Sequence, residues 1–258
     1  MPVAPASSGA KVAFYLAGDS YPAQGHVEAA LQARLRHHFI RWTGQQALLD
    51  RSGASAMDRA IDPRVAALRP WLPTRRERSA AVLFGRSSGA RVATCFAARY
   101  GAMAAICFGY PFRVPHHCIE PARFAHLAGL AVPTLLFQGE NDPYGGADIT
   151  ADYALSDAIA VELLPCDHEF HLPGQEWDRV ALRCAAFLRQ VAQGAAHPSP
   201  AFDEAYYLAA HRDVAAAVAA GEVASGAEHF RLYGRREGRS FRIARPALSR
   251  LATARHLG

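Results

Sequence analysis

Within residues 80–100 an apolar run, AAVLF, passes directly into Gly85-Arg86-Ser87-Ser88-Gly89 and then into ARVATCFAARY, whose pattern is helical. A strand that turns straight into a helix must reverse within a few residues, and such a turn has room only for small side chains. Glycines two residues before and two after Ser87 meet that need, the first beside the strand and the second beside the helix. A serine at this point is lifted off the end of a sheet, where a nucleophile can stand. The bare G-x-S-x-G pattern arises by chance in about one chain in ten of this length. Its position between a strand and a helix is what constrains the fold.

The turn belongs to a regular alternation. Lys11–Ala17, His38–Trp42, Ala80–Phe84, Ala104–Phe108, Pro133–Gln138 and Ala158–Leu164 read as strands. Helical patterns cover about Gln24–His37, Asp62–Leu68, Ser88–Tyr100 and Glu176–Ala192, with a polar loop before the second. Short apolar runs separated by helices predict βαβ units and a parallel sheet. The expectation is an open, doubly wound α/β domain of about six mostly parallel strands over residues 1–192. Sheets of this kind bind ligands at the carboxyl ends of their strands.

Residues 193–200, QGAAHPSP, read as a linker, because glycine and two prolines break any helix there. Residues 201–258 carry no strand pattern and read as a small helical module. Phe202, Tyr206, Tyr207, Val214, Val218, Phe230 and Tyr233 would supply its apolar contacts. So few residues bury little surface alone, so the module is expected to dock on the main domain or on a protein partner. The net charge of +5 is concentrated here. From Arg231 onward eight arginines face one acid, Glu237, which gives this tail +7 and leaves −2 for the rest. A solvated basic end is the reading preferred over a nucleic-acid surface, since no nucleic-acid-binding module accompanies it.

The first ten residues lack the basic start and apolar stretch of a secretory signal, and no run approaches the ~20 apolar residues of a membrane span. Five scattered cysteines, none in a C-x-x-C arrangement, read as reduced thiols. A cytoplasmic protein is expected. His116, His117 and Cys118 are too closely spaced to converge on one ion, and no G-x-G-x-x-G follows a strand, so neither metal nor cofactor is expected.

A serine hydroxyl needs a base, and the base needs an orienting acid. Where the nucleophile stands on a strand-to-helix elbow, the chain order is serine, acid, histidine. PTLLFQGENDPYGG supplies Asp142 just past a strand, with Glu140 as its rival. VELLPCDHEFHLPG supplies His168 just past the next, with His171 as rival and Asp167 and Glu169 beside it. An oxyanion hole needs two donors. One is the backbone N–H of Ser88, and the other candidate is the N–H of Asp19 in LAGDS. The Asp19 carboxylate should then point away or pair with a cation, for which Arg86 is available. Arg86 is also a candidate for binding an acidic substrate or for a structural anchor.

Four separated motifs, VLFGRSSGARVA, GYPFRVP, HLAGLAVPTLLFQGENDPYG and LPCDHEFH, resemble a family of small α/β-hydrolases related to dienelactone hydrolases, with testis-expressed and chromatin-complex members. The likeness covers roughly residues 10–190. It implies the α/β-hydrolase fold in a shortened form, with Ser87 as nucleophile, Asp142 as acid and His168 as base. LAGDS departs from the His-Gly start common at the oxyanion loop, and the segment after GYPF leaves little room for a cap. The C-terminal FDEAYYLAAHRDV resembles a helical module of bacterial surface-polysaccharide proteins. The resulting expectation is a serine hydrolase acting on a small-molecule acyl ester, with acylated carbohydrates among the candidate substrates. An acyltransferase with the same residues, or a binding scaffold without turnover, are the alternatives.

Overall fold

The six apolar runs pair as one sheet in the computed structural model, which describes residues 11–53, 57–194, 203–234, 237 and 239–241. The strands are β1 (Val12–Leu16), β2 (Arg41–Thr43), β3 (Ala81–Arg86), β4 (Ala104–Phe108), β5 (Thr134–Gly139) and β6 (Ile159–Leu164). Their order is β2-β1-β3-β4-β5-β6, and every neighbouring pair is parallel. The order reverses between β1 and β3, so the loops leaving these two strands diverge and open a crevice at the carboxyl edge. Leu16 pairs with Gly85 and Arg86 with Phe108, which brings the ends of β1, β3 and β4 to one level.

Among the described residues, the α-helices that accompany the sheet are α1 (His26–Leu35), α2 (Gln45–Ser52), α3 (Ile61–Leu68), α4 (Arg75–Arg78), α5 (Ser88–Tyr100), α6 (Ile149–Asp152) and α7 (Gly174–Ala192). Alternation along the strands sends side chains to two faces. Phe14, Leu16, Leu83, Cys107 and Leu136 pack in a core shared with α3 and α5. Tyr15, Val82, Phe84, Ile106, Phe108 and Phe137 pack in the core shared with α1 and α7. α7 shows how the pattern works: Trp177, Val180, Ala181, Cys184, Phe187 and Leu188 recur at helical spacing and are all buried. Each large apolar side chain in such a stripe stabilises the domain by about 1.5–3 kcal/mol.

The structure departs from the sequence reading in three places. α2 replaces part of the predicted polar loop, because Gln45 and Leu48 alone turn inward, too few positions for a period to register. A left-handed Gly53 (φ 68°) ends it. α4 is a single turn, closed by a capping box between Thr74 and Glu77. Between β4 and β5, finally, the chain makes only 3₁₀ turns at Pro121–Arg123 and Ala125–Gly129.

Residues 200–258 form a second compact unit, separate from 1–199. It holds α8 (Glu204–Ala210), α9 (Arg212–Ala219) and α10 (Gly226–His229). Tyr207, Val214 and Phe230 are its buried side chains, whereas Tyr233 is half exposed. The Glu204 carboxylate accepts the N–H groups of Gly226 and Ala227 at 2.5 and 3.0 Å, capping α10. Phe202, residues 195–200 of the predicted linker and the arginines at 235, 236, 242, 245, 250 and 255 lie outside the described residues. No helix among the described residues is long and apolar enough to cross a membrane.

Close backbone approach makes the two elbow glycines testable. A Cβ on Gly89 would sit 1.9 Å from the Leu16 carbonyl oxygen, and one on Gly85 would sit 2.6 Å from Ala90 Cα. Gly89→Ala is expected to cost about 4 kcal/mol or more in urea unfolding, because backbone atoms must move. Gly129→Ala, with open space around it, should stay within about 0.5 kcal/mol. Equal effects would contradict the close packing of β1 on α5.

Candidate active site

β3 runs two residues further than its apolar run and delivers Ser87 at φ 53°, ψ −122°, immediately before α5. Such a backbone conformation costs about 1–3 kcal/mol and persists only where its surroundings hold it. Here they do so from both sides. Ser87 N–H donates to Phe108 O at 2.9 Å, and Ser87 O accepts from Ala90 N–H at 2.9 Å. Gly18, in the loop after β1, comes so near that a Cβ there would lie 3.1 Å from Ser87 Cβ.

Three of the predicted residues meet in a hydrogen-bonded chain. His168 Nε2 lies 3.0 Å from Ser87 Oγ, and His168 Nδ1 lies 2.7 Å from Asp142 Oδ2. A carboxylate can only accept, so it fixes the proton on Nδ1 and leaves Nε2 to accept the serine proton. Asp142 is 2% exposed and fully engaged. Its Oδ2 also accepts from Gln138 Nε2 at 2.9 Å, and its Oδ1 accepts from Tyr144 N–H at 2.8 Å. The Tyr144 ring covers the imidazole at a centroid distance of 4.4 Å. Phe170, also in the left-handed region at φ 58°, buries its ring edge-on against Phe108 and so anchors the loop that carries His168. Together these groups can deprotonate Ser87 and hold the resulting imidazolium.

The rival residues stand elsewhere. His171 stacks on His26 at 4.6 Å. Asp167 accepts from Glu169 N–H at 2.9 Å. Glu140 donates its N–H to Leu164 O and accepts from Ala147 N–H. Burial, followed by the carboxylates of Asp167, Asp142 and Glu140, pushes the nearby Cys166 thiol up to about 12, so it stays protonated.

Arg86 does not meet Asp19; of its three sequence readings, the structural anchor is the one its contacts fit. Its buried guanidinium donates through Nη2 to His168 O and to Glu169 Oε2, both at 3.1 Å. Gln24 also donates to Glu169. Arg86 is 3% exposed, and its Nη1 also reaches the loop after β1, 3.2 Å from where a Gly18 Cβ would lie. The cation beside Asp19 is Arg64, whose Nη1 is 3.4 Å from Asp19 Oδ1. Arg64 and Gln138 had escaped the sequence reading. Nothing in IDPRVAAL marks Arg64 as different from a surface arginine, whereas Gln138 was visible as the one amide at the end of an apolar strand.

Gln138 has no exposed surface and joins three segments. Its Oε1 accepts from Tyr110 N–H at 2.9 Å while its Nε2 donates to Asp142 and, at 2.5 Å, to Gly145 O. Gln138→Leu keeps the volume but strands these partners. It is expected to lower the free energy of unfolding by about 1–3 kcal/mol per unsatisfied group, measured by urea denaturation. Unchanged stability would mean the amide does not hold the Asp142 loop.

Residues 8–193 match a family described as the alpha/beta hydrolase domain. No curated protein sequence matches the chain. Among solved structures, the esterase domain of a Rhodothermus marinus protein is similar at 14% identity and TM-score 0.51, covering 71% of this chain and 89% of that one. A marine microorganism esterase is similar at 13% identity and TM-score 0.50, covering 69% and 95%. The RedJ thioesterase of Streptomyces coelicolor matches at 18% identity and TM-score 0.48, covering 72% and 91%. At such identities the likeness is one of fold.

Proposed function

Since the chain belongs to the alpha/beta hydrolase domain family, we propose that it is a serine hydrolase that cleaves an acyl ester through an acyl-enzyme on Ser87. The observation that carries this reading is the Ser87–His168–Asp142 chain, with contacts of 3.0 and 2.7 Å, ending on a serine in a strained backbone conformation.

In this reading His168 Nε2 takes the Ser87 proton as Oγ attacks the acyl carbonyl. The negative charge that develops on the carbonyl oxygen meets the N–H of Ser88, at the start of the thirteen-residue helix α5, where the helix dipole favours an anion. The Asp19 N–H is the second donor. Collapse expels the alcohol, which receives the proton held by His168. Water then gives a proton to the same nitrogen as its oxygen attacks the acyl carbon, and collapse breaks the bond to Ser87 Oγ, which takes that proton back as the acid leaves. Asp142 keeps the imidazole oriented throughout and stabilises its charged form.

The motifs support a place near the dienelactone-hydrolase-related branch, and a complete relay favours turnover over a silent scaffold. The five unpaired thiols are consistent with a reducing compartment such as the cytoplasm. A half-open pocket of about 380 Å³ lies beside Arg64, walled in part by Leu16, Leu48, Leu49 and Leu68 and by none of Ser87, Asp142 and His168; the short-chain assignment rests instead on the little room for a cap after GYPF.

The test is labelling by a fluorophosphonate probe, with Ser87→Ala and Ser88→Ala alongside. Wild type and Ser88→Ala are expected to label and Ser87→Ala is not. A folded wild type that stays unlabelled would overturn the proposal in favour of a scaffold. With p-nitrophenyl esters, acetate and butyrate should be cleaved in preference to palmitate, and the reverse order would refute the short-chain assignment.

A further inference from the structure

A carboxylate in the oxyanion loop presents a physical problem. Negative charge a few ångströms from a developing oxyanion raises its energy, and the effect is strongest where water is excluded. Asp19 stands in that position, next to the Gly18 that packs on Ser87. The structure leaves this carboxylate half-exposed and sets two donors on one of its oxygens. Ser88 Oγ donates to Asp19 Oδ1 at 2.5 Å, and Arg64 Nη1 donates to Ser88 Oγ at 2.9 Å while lying 3.4 Å from the same Asp19 oxygen. Arg64 Nη2 donates to Ala17 O at 2.5 Å. Arg64 is 8% exposed although it comes from α3, a helix whose next residues point into the core. Burial lowers its affinity for the proton from the ordinary value, and Asp19 and Asp58 oppose that loss.

One guanidinium thus ties the residue before Gly18, the residue after it, and the residue following the nucleophile. Its planar fork serves three because the donors are fixed relative to each other.

We propose that Arg64 is a positioning residue of the oxyanion site, neutralising the Asp19 carboxylate and fixing the Ala17–Asp19 turn so that the Asp19 N–H faces Ser87. This inference rests on the serine-hydrolase reading above. It assigns to Arg64 an electrostatic task that is separable from holding the fold, because the task exists only while Asp19 is charged.

The separation defines the experiment. The rate of inactivation by a fluorophosphonate probe, and kcat and KM for p-nitrophenyl acetate, are measured for the full chain and for Arg64→Met, Arg64→Lys, Asp19→Asn and the Arg64→Met/Asp19→Asn double variant. Arg64→Met should slow inactivation by about thirtyfold, less than the roughly hundredfold or greater loss seen when an oxyanion donor is itself removed, because Arg64 acts through another group. The fall should lie in kcat with KM nearly unchanged. The double variant should regain at least about tenfold over Arg64→Met, since the uncompensated charge is gone. Arg64→Lys, which keeps the charge, should also remain about tenfold faster than Arg64→Met. If Arg64→Met does not fold, the comparison of Arg64→Lys with Arg64→Gln carries the same expectation. A double variant no faster than Arg64→Met, on a wild type that labels, would overturn this inference alone. A wild type that does not label would overturn the hydrolase reading and this inference with it.

Discussion

The contact between Gly89 and the Leu16 carbonyl oxygen is the constraint from which the rest of the domain follows. It lets α5 start against β1 with no side chain between them. Only then can β3 turn into α5 within three residues, leaving Ser87 at φ 53° above the sheet. The same approach brings the loop after β1 onto Ser87, so the elbow and that loop share one packing event. A side chain at either elbow glycine would separate β1 from α5 and take the loop with it.

Around this turn the charges are arranged in pairs, and each pair does a different job. Asp142 is buried and faces the imidazole directly, with Gln138 and the Tyr144 N–H taking its remaining capacity. Glu169 meets Arg86, which also binds the His168 carbonyl, so this pair sets the position of the histidine loop and not its charge. Asp19 meets Arg64 and the Ser88 hydroxyl on the opposite side of the serine. Arg64, Arg86 and Asp142 are the buried members, while the Asp19 and Glu169 carboxylates reach solvent; such pairs add little net stability but fix geometry, because removing one partner leaves a buried group uncompensated. The geometry they fix is that of Ser87, His168 and the loop after β1.

The sequence showed the strands and the elbow because their signals are local. AAVLF next to a glycine-flanked serine and a helical run determines strand, turn and helix without knowledge of the rest. Asp142 and His168 were legible through order and position, each just beyond an apolar run. What the sequence could not show were partners distant in the chain. Arg64 is 45 residues from Asp19, and only the packing of α3 against α5 brings it there. The choice among the readings of Arg86 was open for the same reason: nearness in sequence to Ser87 does not reveal which way a β3 side chain turns. α2 and α4 were missed because their short turns are held by a left-handed glycine and a capping box, and neither produces periodicity.

The most direct measurement of the central claim is mass spectrometry of the protein quenched during the burst with p-nitrophenyl acetate, followed by peptide mapping. The account predicts an adduct of one acetyl group on the peptide containing Ser87, located on Ser87 itself and absent when Ser87 is alanine. An acetyl group found on Ser88, on a histidine or on a cysteine while ester is being cleaved would contradict it.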